Sequence, residues 1–365
     1  MALLASGLQS ERQFPHVKIL AGMFSIAPAN KDHHPAIRCA VGIFVPLITL
    51  VVLGRLDLAI FASFGAFAGI YGRGEPHGTR FVLQLRAGLL MLLVILLATL
   101  TARLGPAIGL DQMAIAWLLV LTTTLVAGAC SVAISLLRLR PAGSLFHIFA
   151  FAAIASVPHQ PPAWQAMLVA VLTTILSLVI GFSSRVLPSH RTPWVPPARI
   201  RRTADERRAA WLEGLGYLVA AGLAGSLATL AGQRLGFGHA YWAMVAAVVP
   251  LVGHSTVHRV RRGVQRIIGT VLGLALLAAI LLIGLTPWQT VLVIALCQFG
   301  AELFIARQYV LAQLFVTPLA LISTLLVVPS SPTILLRDRI IETVIGAAVG
   351  VAVVLAPALW RRQRV

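Results

Sequence analysis

Arg262, Arg266, Gly269 and Gly273 follow one another at steps of four, three and four. On a helix those steps fall on one narrow face. The face carries two guanidinium groups at one end and a glycine track beyond them, with Thr270 alongside. Glycine weakens helices in water but is frequent in lipid-embedded ones, where it lets a neighbouring backbone approach. A guanidinium offers a planar fork that matches a carboxylate. The spacing describes a membrane helix that packs closely and presents cations where it leaves the bilayer. Arg38 and Arg86, at the edges of other apolar runs, are candidates for the same anion-attracting role. The competing reading for these arginines is snorkelling, in which a long side chain near a helix end reaches for headgroups.

The chain has eleven acidic residues, so those within apolar runs stand out. Glu302 lies near the end of one run, and Asp338 and Glu342 stand four apart on one helical face at the start of another. Ionisable groups in a bilayer are costly and are usually paired or line a water-filled path. These three acids are either proton-coupling carboxylates or members of ion pairs that anchor helix ends. His147, three residues into a run, is either a proton relay or a packing hydrogen bond. Tyr241 and Trp242 could stack on an aromatic substrate or sit in an interfacial aromatic belt. Gln298 and Gln313 read as interhelical hydrogen-bond donors. His254 and His258 have the i, i+4 spacing of metal ligands but lie in a loop with no third ligand, so no metal site is expected.

Twelve apolar runs must position these groups. They are Ala36–Leu53, Leu58–Tyr71, Phe81–Ala102, Gln112–Leu137, Ser144–Val157 and Ala163–Val186, then Trp211–Ala231, Tyr241–Val252, Gly263–Ile283, Trp288–Ile305, Tyr309–Val328 and Ile340–Trp360. Several, notably Leu58–Tyr71 and Tyr241–Val252, fall short of the roughly 20 residues that a perpendicular span needs. The two sets of six look alike at an offset of about 180 residues. Each has a short second run, a basic loop (Gly72–Arg80; Gly253–Arg262) and a third run with an arginine near its start (Arg86; Arg266). Six spans per half leave both halves in one orientation, a parallel repeat. The fold expected is an all-α, polytopic transmembrane bundle of about 12 spans in two six-span repeats. Its segments are 1–34 at the N-terminus, 35–186 as the first half, a Pro/Arg-rich connector over 187–210, 211–360 as the second half and a basic tail over 361–365. Phe14 to Met23 could form a short interfacial helix.

Composition supports this class. The chain is 59% hydrophobic and only 11% charged, with a mean hydropathy of +0.92, against about 25% charged residues in soluble domains. The net charge of +18 is explained by positive-inside bias rather than by nucleic acid, which is not expected as a partner. With both termini inside, the inner segments hold 21 cations and the outer ones 5, among them Arg337 and Arg339. Only two lysines occur, Lys18 and Lys31, so no phosphate-loop lysine exists beyond residue 31. HExxH, GxSxG and DDxxD patterns are absent, and no enzymatic activity or cofactor is expected. Cys39, Cys130 and Cys297 are widely spaced in apolar runs and read as small core residues. The opening residues lack a signal-peptide pattern, so the first span is expected to direct insertion.

An aromatic pair opening one span, a basic loop, and then Arg-x-x-x-Arg-x-x-Gly-Thr-x-x-Gly resemble the fusaric-acid-resistance transporter family. The matching positions are Tyr241, Trp242, Arg262, Arg266, Gly269, Thr270 and Gly273. The close match covers about 40 residues, and a looser likeness in span pattern covers most of the chain. After Arg86 the first half reads Ala-Gly-Leu-Leu, without the Gly-Thr-x-x-Gly pattern. The resemblance implies export of small organic acids, aromatic carboxylates in particular, through a bacterial inner membrane, and without a nucleotide-binding motif the drive is expected to be an ion gradient or the substrate's own. By that reading Arg266, Arg262, Arg86, Arg38, Tyr241 and Trp242 bind substrate, Glu302, Glu342, Asp338 and His147 couple protons, and Gly269, Thr270 and Gly273 pack helices. A passive organic-anion channel and a non-transporting scaffold stay open as alternatives, as does self-association through glycine-faced spans. Many members of the family carry a large soluble domain in the connector, which here has only about 22 residues.

Overall fold

A computed structural model describes Met23 and residues 25–186, 194–195, 202–236, 238, 240–253, 255–327 and 331–362, with backbone alone at 332 and 357–362. Apart from Met23, the expected helix at Phe14–Met23 lies outside the described residues, as do most of the connector, His254 and the side chains of the basic tail. The described residues form helices and no strand. In the first half these are α1 (His33–Val52), α2 (Leu56–Ile70), α3 (His77–Ala107), α4 (Gln112–Leu137), α5 (Leu145–Ala155) and α6 (Ala163–Ser183). The second half holds α7 (Ala204–Leu235), α8 (Tyr241–Leu251), α9 (Thr256–Leu281), α10 (Pro287–Phe304), α11 (Tyr309–Leu325) and α12 (Pro332–Arg362). The expected polytopic helical bundle is present.

Among the described residues, eight helices are long and apolar enough to cross a bilayer; α2, α5, α8 and α11 are shorter. The order long, short, long, long, short, long therefore occurs twice. Burial separates the two kinds. All of Ala59–Ala66 in α2 and all of Tyr241–Ala247 in α8 are buried. The long helices turn an apolar stripe outward, as with Leu89, Leu93 and Leu100 of α3 or Leu223, Leu227 and Leu230 of α7, all exposed. Such a stripe suits lipid, where backbone groups must be satisfied within each helix.

Cross-links mark two ends. At one end Asp32, Arg73 and Glu302 join the starts or ends of α1, α2 and α10. At the other, Arg55 contacts Gln165, Arg103 contacts Pro161, and Arg337 contacts Gly236. The chain alternates between these ends, short helices included. We call the first the basic end.

Packing repeats as the helix lengths do. Within each half the second helix packs on the sixth, and the third on the fifth and sixth. Between halves, α4 lies along α7 and α10 lies along α1. A separation of 181 residues pairs Gly72 with Gly253, His77 with His258, Arg80 with Arg261, Gln84 with Gln265 and Gly88 with Gly269. Gly72 and Gly253 both have positive φ, at 68° and 147°, where the chain turns into the third helix of each half. In this register Arg266 pairs with Leu85, not with Arg86.

Several helices, α7, α9 and α12 most clearly, begin earlier than hydropathy indicates. α7 starts at Ala204, inside the stretch expected as connector, because Thr203 and Glu206 form a reciprocal capping box. α12 starts at Pro332 rather than Ile340. Polar residues in a first turn lower the hydropathy without stopping the helix.

Several glycines of the second half make very close contacts. A methyl group on Gly269 would sit 2.5 Å from Gln313 Cβ, and one on Gly273 would sit 2.6 Å from Thr317 Cβ, both on α11. A methyl on Gly346 of α12 would lie 2.1 Å from the Ala243 carbonyl of α8. Gly216 has nothing within 4 Å. Overpacking a well-filled site typically costs about 1–3 kcal/mol. Gly269→Val and Gly346→Val are therefore expected to lower the melting temperature of the detergent-purified protein sharply, whereas Gly216→Ala leaves it nearly unchanged. Equal melting temperatures for all three would contradict this packing.

Candidate functional site

The four short helices meet at the centre of the bundle and leave a cavity of about 80 Å³ between the halves. Its walls are unequal. The first half supplies mostly apolar groups, chief among them Phe64 and Phe67 of α2 and Phe146 and Phe149 of α5. The second half supplies Trp242 and nearly all the polar groups: Arg266, Gln298, Glu302, Ser323, Thr324 and Arg339. The aromatic rings touch in series. Phe67 meets Phe64 edge-on at 5.3 Å, Phe64 meets Phe149 at 5.0 Å, and Phe149 crosses to Trp242 at 4.9 Å.

Arg339 is the most demanding group in this cavity. Its side chain is 1% exposed, and none of its three guanidinium nitrogens makes a hydrogen bond. Its guanidinium carbon lies 3.7 Å from the centre of the Trp242 ring. The Trp242 indole N–H also lacks an acceptor. A cation–π contact of this kind contributes about 2 kcal/mol when desolvated. A buried charge stripped of its partner costs about 3–5 kcal/mol. The ring alone does not balance the charge. Glu342, on the next turn of α12, and Arg266 both lie within electrostatic range, and their charges oppose one another. An acceptor-rich anion placed against Arg339 would satisfy donors that the protein leaves open.

Arg266 is also buried, at 2% exposure. Its Nη1 donates to Gln313 Oε1 at 2.6 Å, and Gln313 Nε2 donates onward to Thr317 Oγ1 at 3.1 Å. The helices whose glycines meet Gln313 and Thr317 are thus the ones that set Arg266 in place. Its Nε has no acceptor.

The other sequence-derived candidates divide. Trp242 lines the cavity, but Tyr241, equally buried, faces a smaller pocket beside Ser156 and Thr229. Neither is at the lipid surface, so the belt reading does not hold for them. Glu302 lines the cavity and pairs with Arg73 at 2.8 Å. Glu342 is fully buried beside Arg339. Asp338 is buried at the opposite end, accepting from the Gly238 backbone N–H at 3.3 Å and from Arg337 at 3.0 Å. His147 is fully buried without a hydrogen bond at either ring nitrogen and lies outside the cavity, 6.4 Å from the Tyr71 ring. Arg262 stands 4.4 Å over the Tyr309 ring. Arg38 donates to the Arg73 carbonyl at 3.0 Å in the basic vestibule. Arg86 is exposed and donates to the Leu137 carbonyl at 3.4 Å. None of Arg38, Arg86 and Arg262 reaches the central cavity.

Sequence reasoning missed Arg339, which it counted among outer-loop cations, and Arg73, which it counted as an inner-loop cation. The available signal for Arg339 was Glu342 three residues on, one helical turn away.

A largely apolar cavity with a few buried charged groups, enclosed between two repeats, suits a membrane transport protein. A family model described as fusaric acid resistance protein-like matches residues 227–353. The match lies in the second half, the half that supplies the charged groups of the cavity. No curated protein and no solved structure matches the chain.

Outside the spans, Asp32 titrates with consequence. Burial tends to raise its pKa, but the Asn30 N–H and the Arg73 guanidinium outweigh burial, aided by Arg307, and hold the carboxyl below its usual range. A depressed folded-state pKa stabilises the fold above the unfolded value of about 3.9, and that stability is lost as pH falls through the folded value. Asp32→Asn is therefore expected to lower the melting temperature at pH 7, with the gap from the parent closing at pH values below about 4. A gap that does not change with pH would sink this assignment.

Proposed function

We propose that the protein exports small organic acids, aromatic carboxylates foremost, from the cytoplasm across a bacterial inner membrane, using an ion gradient. The observation that carries this reading is Arg339, a fully buried guanidinium with open donors on the wall of a cavity whose facing wall is aromatic. A flat aromatic acid matches both surfaces. Its carboxylate takes the fork of Arg339, with Arg266 adding charge, and its ring lies among Phe64, Phe149 and Trp242. Such charge-assisted bonds are the strong ones, and an arginine fork is not replaced by a lysine point charge.

The orientation follows from the distribution of cations, which puts the basic end and both termini in the cytoplasm. With no nucleotide-binding motif, a gradient supplies the drive. Glu302 and Glu342 are the carboxylates placed to carry a proton, one on the cavity wall and one beside Arg339. Asp338, tied to Gly238 and Arg337, is better read as a structural anchor.

Flux measurements in sealed vesicles test the proposal. Arg339→Ala is expected to reduce benzoate transport about 10- to 100-fold, the effect of losing a charge-assisted pair, and Arg339→Lys to recover only part of it. Full transport by a correctly inserted Arg339→Ala protein would remove the role assigned here. Benzoate flux should depend on a pH gradient. A current that follows voltage and ignores pH would identify a passive channel instead.

A further inference from the structure

We infer that Arg73 is an entry site for the transported carboxylate, occupied in this structure by two carboxylates of the chain itself. The inference rests on the organic-acid reading above. Arg73 lies on the loop that follows α2. Its Nη2 donates to Asp32 Oδ1 at 2.8 Å, and its Nη1 donates to Glu302 Oε2 at 2.8 Å and to the Glu302 carbonyl at 2.6 Å. Three separate segments therefore meet on one guanidinium: the lead into α1, a loop of the first half, and α10 of the second half.

The position of this cluster gives it a role. Glu302, Ile70 and Ile305 line both the central cavity and a second pocket that opens at the basic end, and Arg73 lines that second pocket. The Arg73–Glu302 pair is thus the partition between the cavity and the vestibule. The side chain of Arg73 keeps 22% of its exposure while those of Asp32 and Glu302 keep 7% each. The cation is reachable from the vestibule, and the acids are sealed behind it. Arg86, Arg138 and Arg140 also border this second pocket, against only two acids, Glu75 and Glu302. An anion is drawn to this mouth and a cation is repelled.

Stripping Glu302 from Arg73 would leave the buried Glu302 carboxylate unpaired, which is costly. Exchanging Glu302 for another carboxylate keeps the fork of Arg73 filled, and the released Glu302 takes up a proton or turns to the water of the second pocket, which it lines. An arriving organic acid can make that exchange, whereas a neutral molecule of the same shape cannot. Because the pair spans the two halves, its exchange also releases a tie that holds them together at this end. The partition then opens for an anion and stays closed otherwise. Glu302 acts as the built-in competitor of the substrate, and removing a competitor raises apparent affinity by the fraction of protein it had blocked.

Two measurements on the full chain test this. For the first, Cys39, Cys130 and Cys297 are changed to alanine and Ser323→Cys places one thiol on the cavity wall. A membrane-impermeant methanethiosulfonate is then applied from the basic end, with no organic acid present. Glu302→Ala and Glu302→Gln are each expected to raise the labelling rate about tenfold, and Asp32→Asn by less. Unchanged labelling in both Glu302 variants would overturn the partition; if the alanine variant does not fold, the glutamine variant decides. The second measurement is benzoate binding to purified protein by equilibrium dialysis, with benzamide as the neutral isostere. Glu302→Ala should bind benzoate about tenfold more tightly than the parent, with benzamide unaffected. Adding Arg73→Ala should abolish the gain. Equal or weaker benzoate binding in Glu302→Ala would overturn the entry site. Faster labelling with no benzoate binding to any form, parent included, would instead overturn the organic-acid reading and leave the partition standing.

Discussion

A helix too short to cross the hydrocarbon must keep its ends away from lipid, since no water there can satisfy open backbone groups. This constraint organises the molecule. The short helices α2, α5, α8 and α11 sit inside a wall of eight long ones. Short elements at the centre cannot fill the full height of the bundle, and the space they leave is the cavity. Glycine makes the enclosure possible: Gly346 on the Ala243 carbonyl and Gly269 on Gln313 bring long and short helices to distances that any side chain would prevent.

The two halves share a scaffold but not a chemistry. Gly88 and Gly269, Gln84 and Gln265, and Arg80 and Arg261 hold equivalent places. The cavity charges have no such equivalents. Arg266 is matched by Leu85, and α6, the first-half counterpart of α12, has no ionisable residue where α12 carries Asp338, Arg339 and Glu342. The result is a cavity with an aromatic wall from one half and a cationic wall from the other. A symmetric pair of buried cations would repel across the axis. Dividing the roles gives a single pole for an anion and an apolar face for its ring.

Much of this was legible in one dimension because a membrane imposes long apolar runs whose periodicity survives in the sequence. The twelve runs, the short second elements and the glycine face of α9 could all be read from residue type and spacing. Helix starts were less visible. Hydropathy loses polar first turns, and so the true beginnings of α7 and α12 went unseen. That error had a cost in the site, for it left Arg339 outside the last span. Arg86 misled for a different reason: it sits one residue away from the register that pairs the two halves, and its side chain is exposed.

By itself the sequence determined the class of protein, an all-helical membrane bundle, and the tight packing of α9. These depend on hydrophobicity and period, which are local properties of the chain. Only the tertiary structure decided which charges share a space. Arg339 faces Trp242 across the cavity wall, and Arg73 joins Asp32 to Glu302 across 41 and 229 residues of chain. Such meetings depend on how α10 lies along α1 and how α12 closes over α8. A local pattern can put a cation on a helix face, but the partner of that face comes from a distant segment, and the energy of a buried charge is set by the partner.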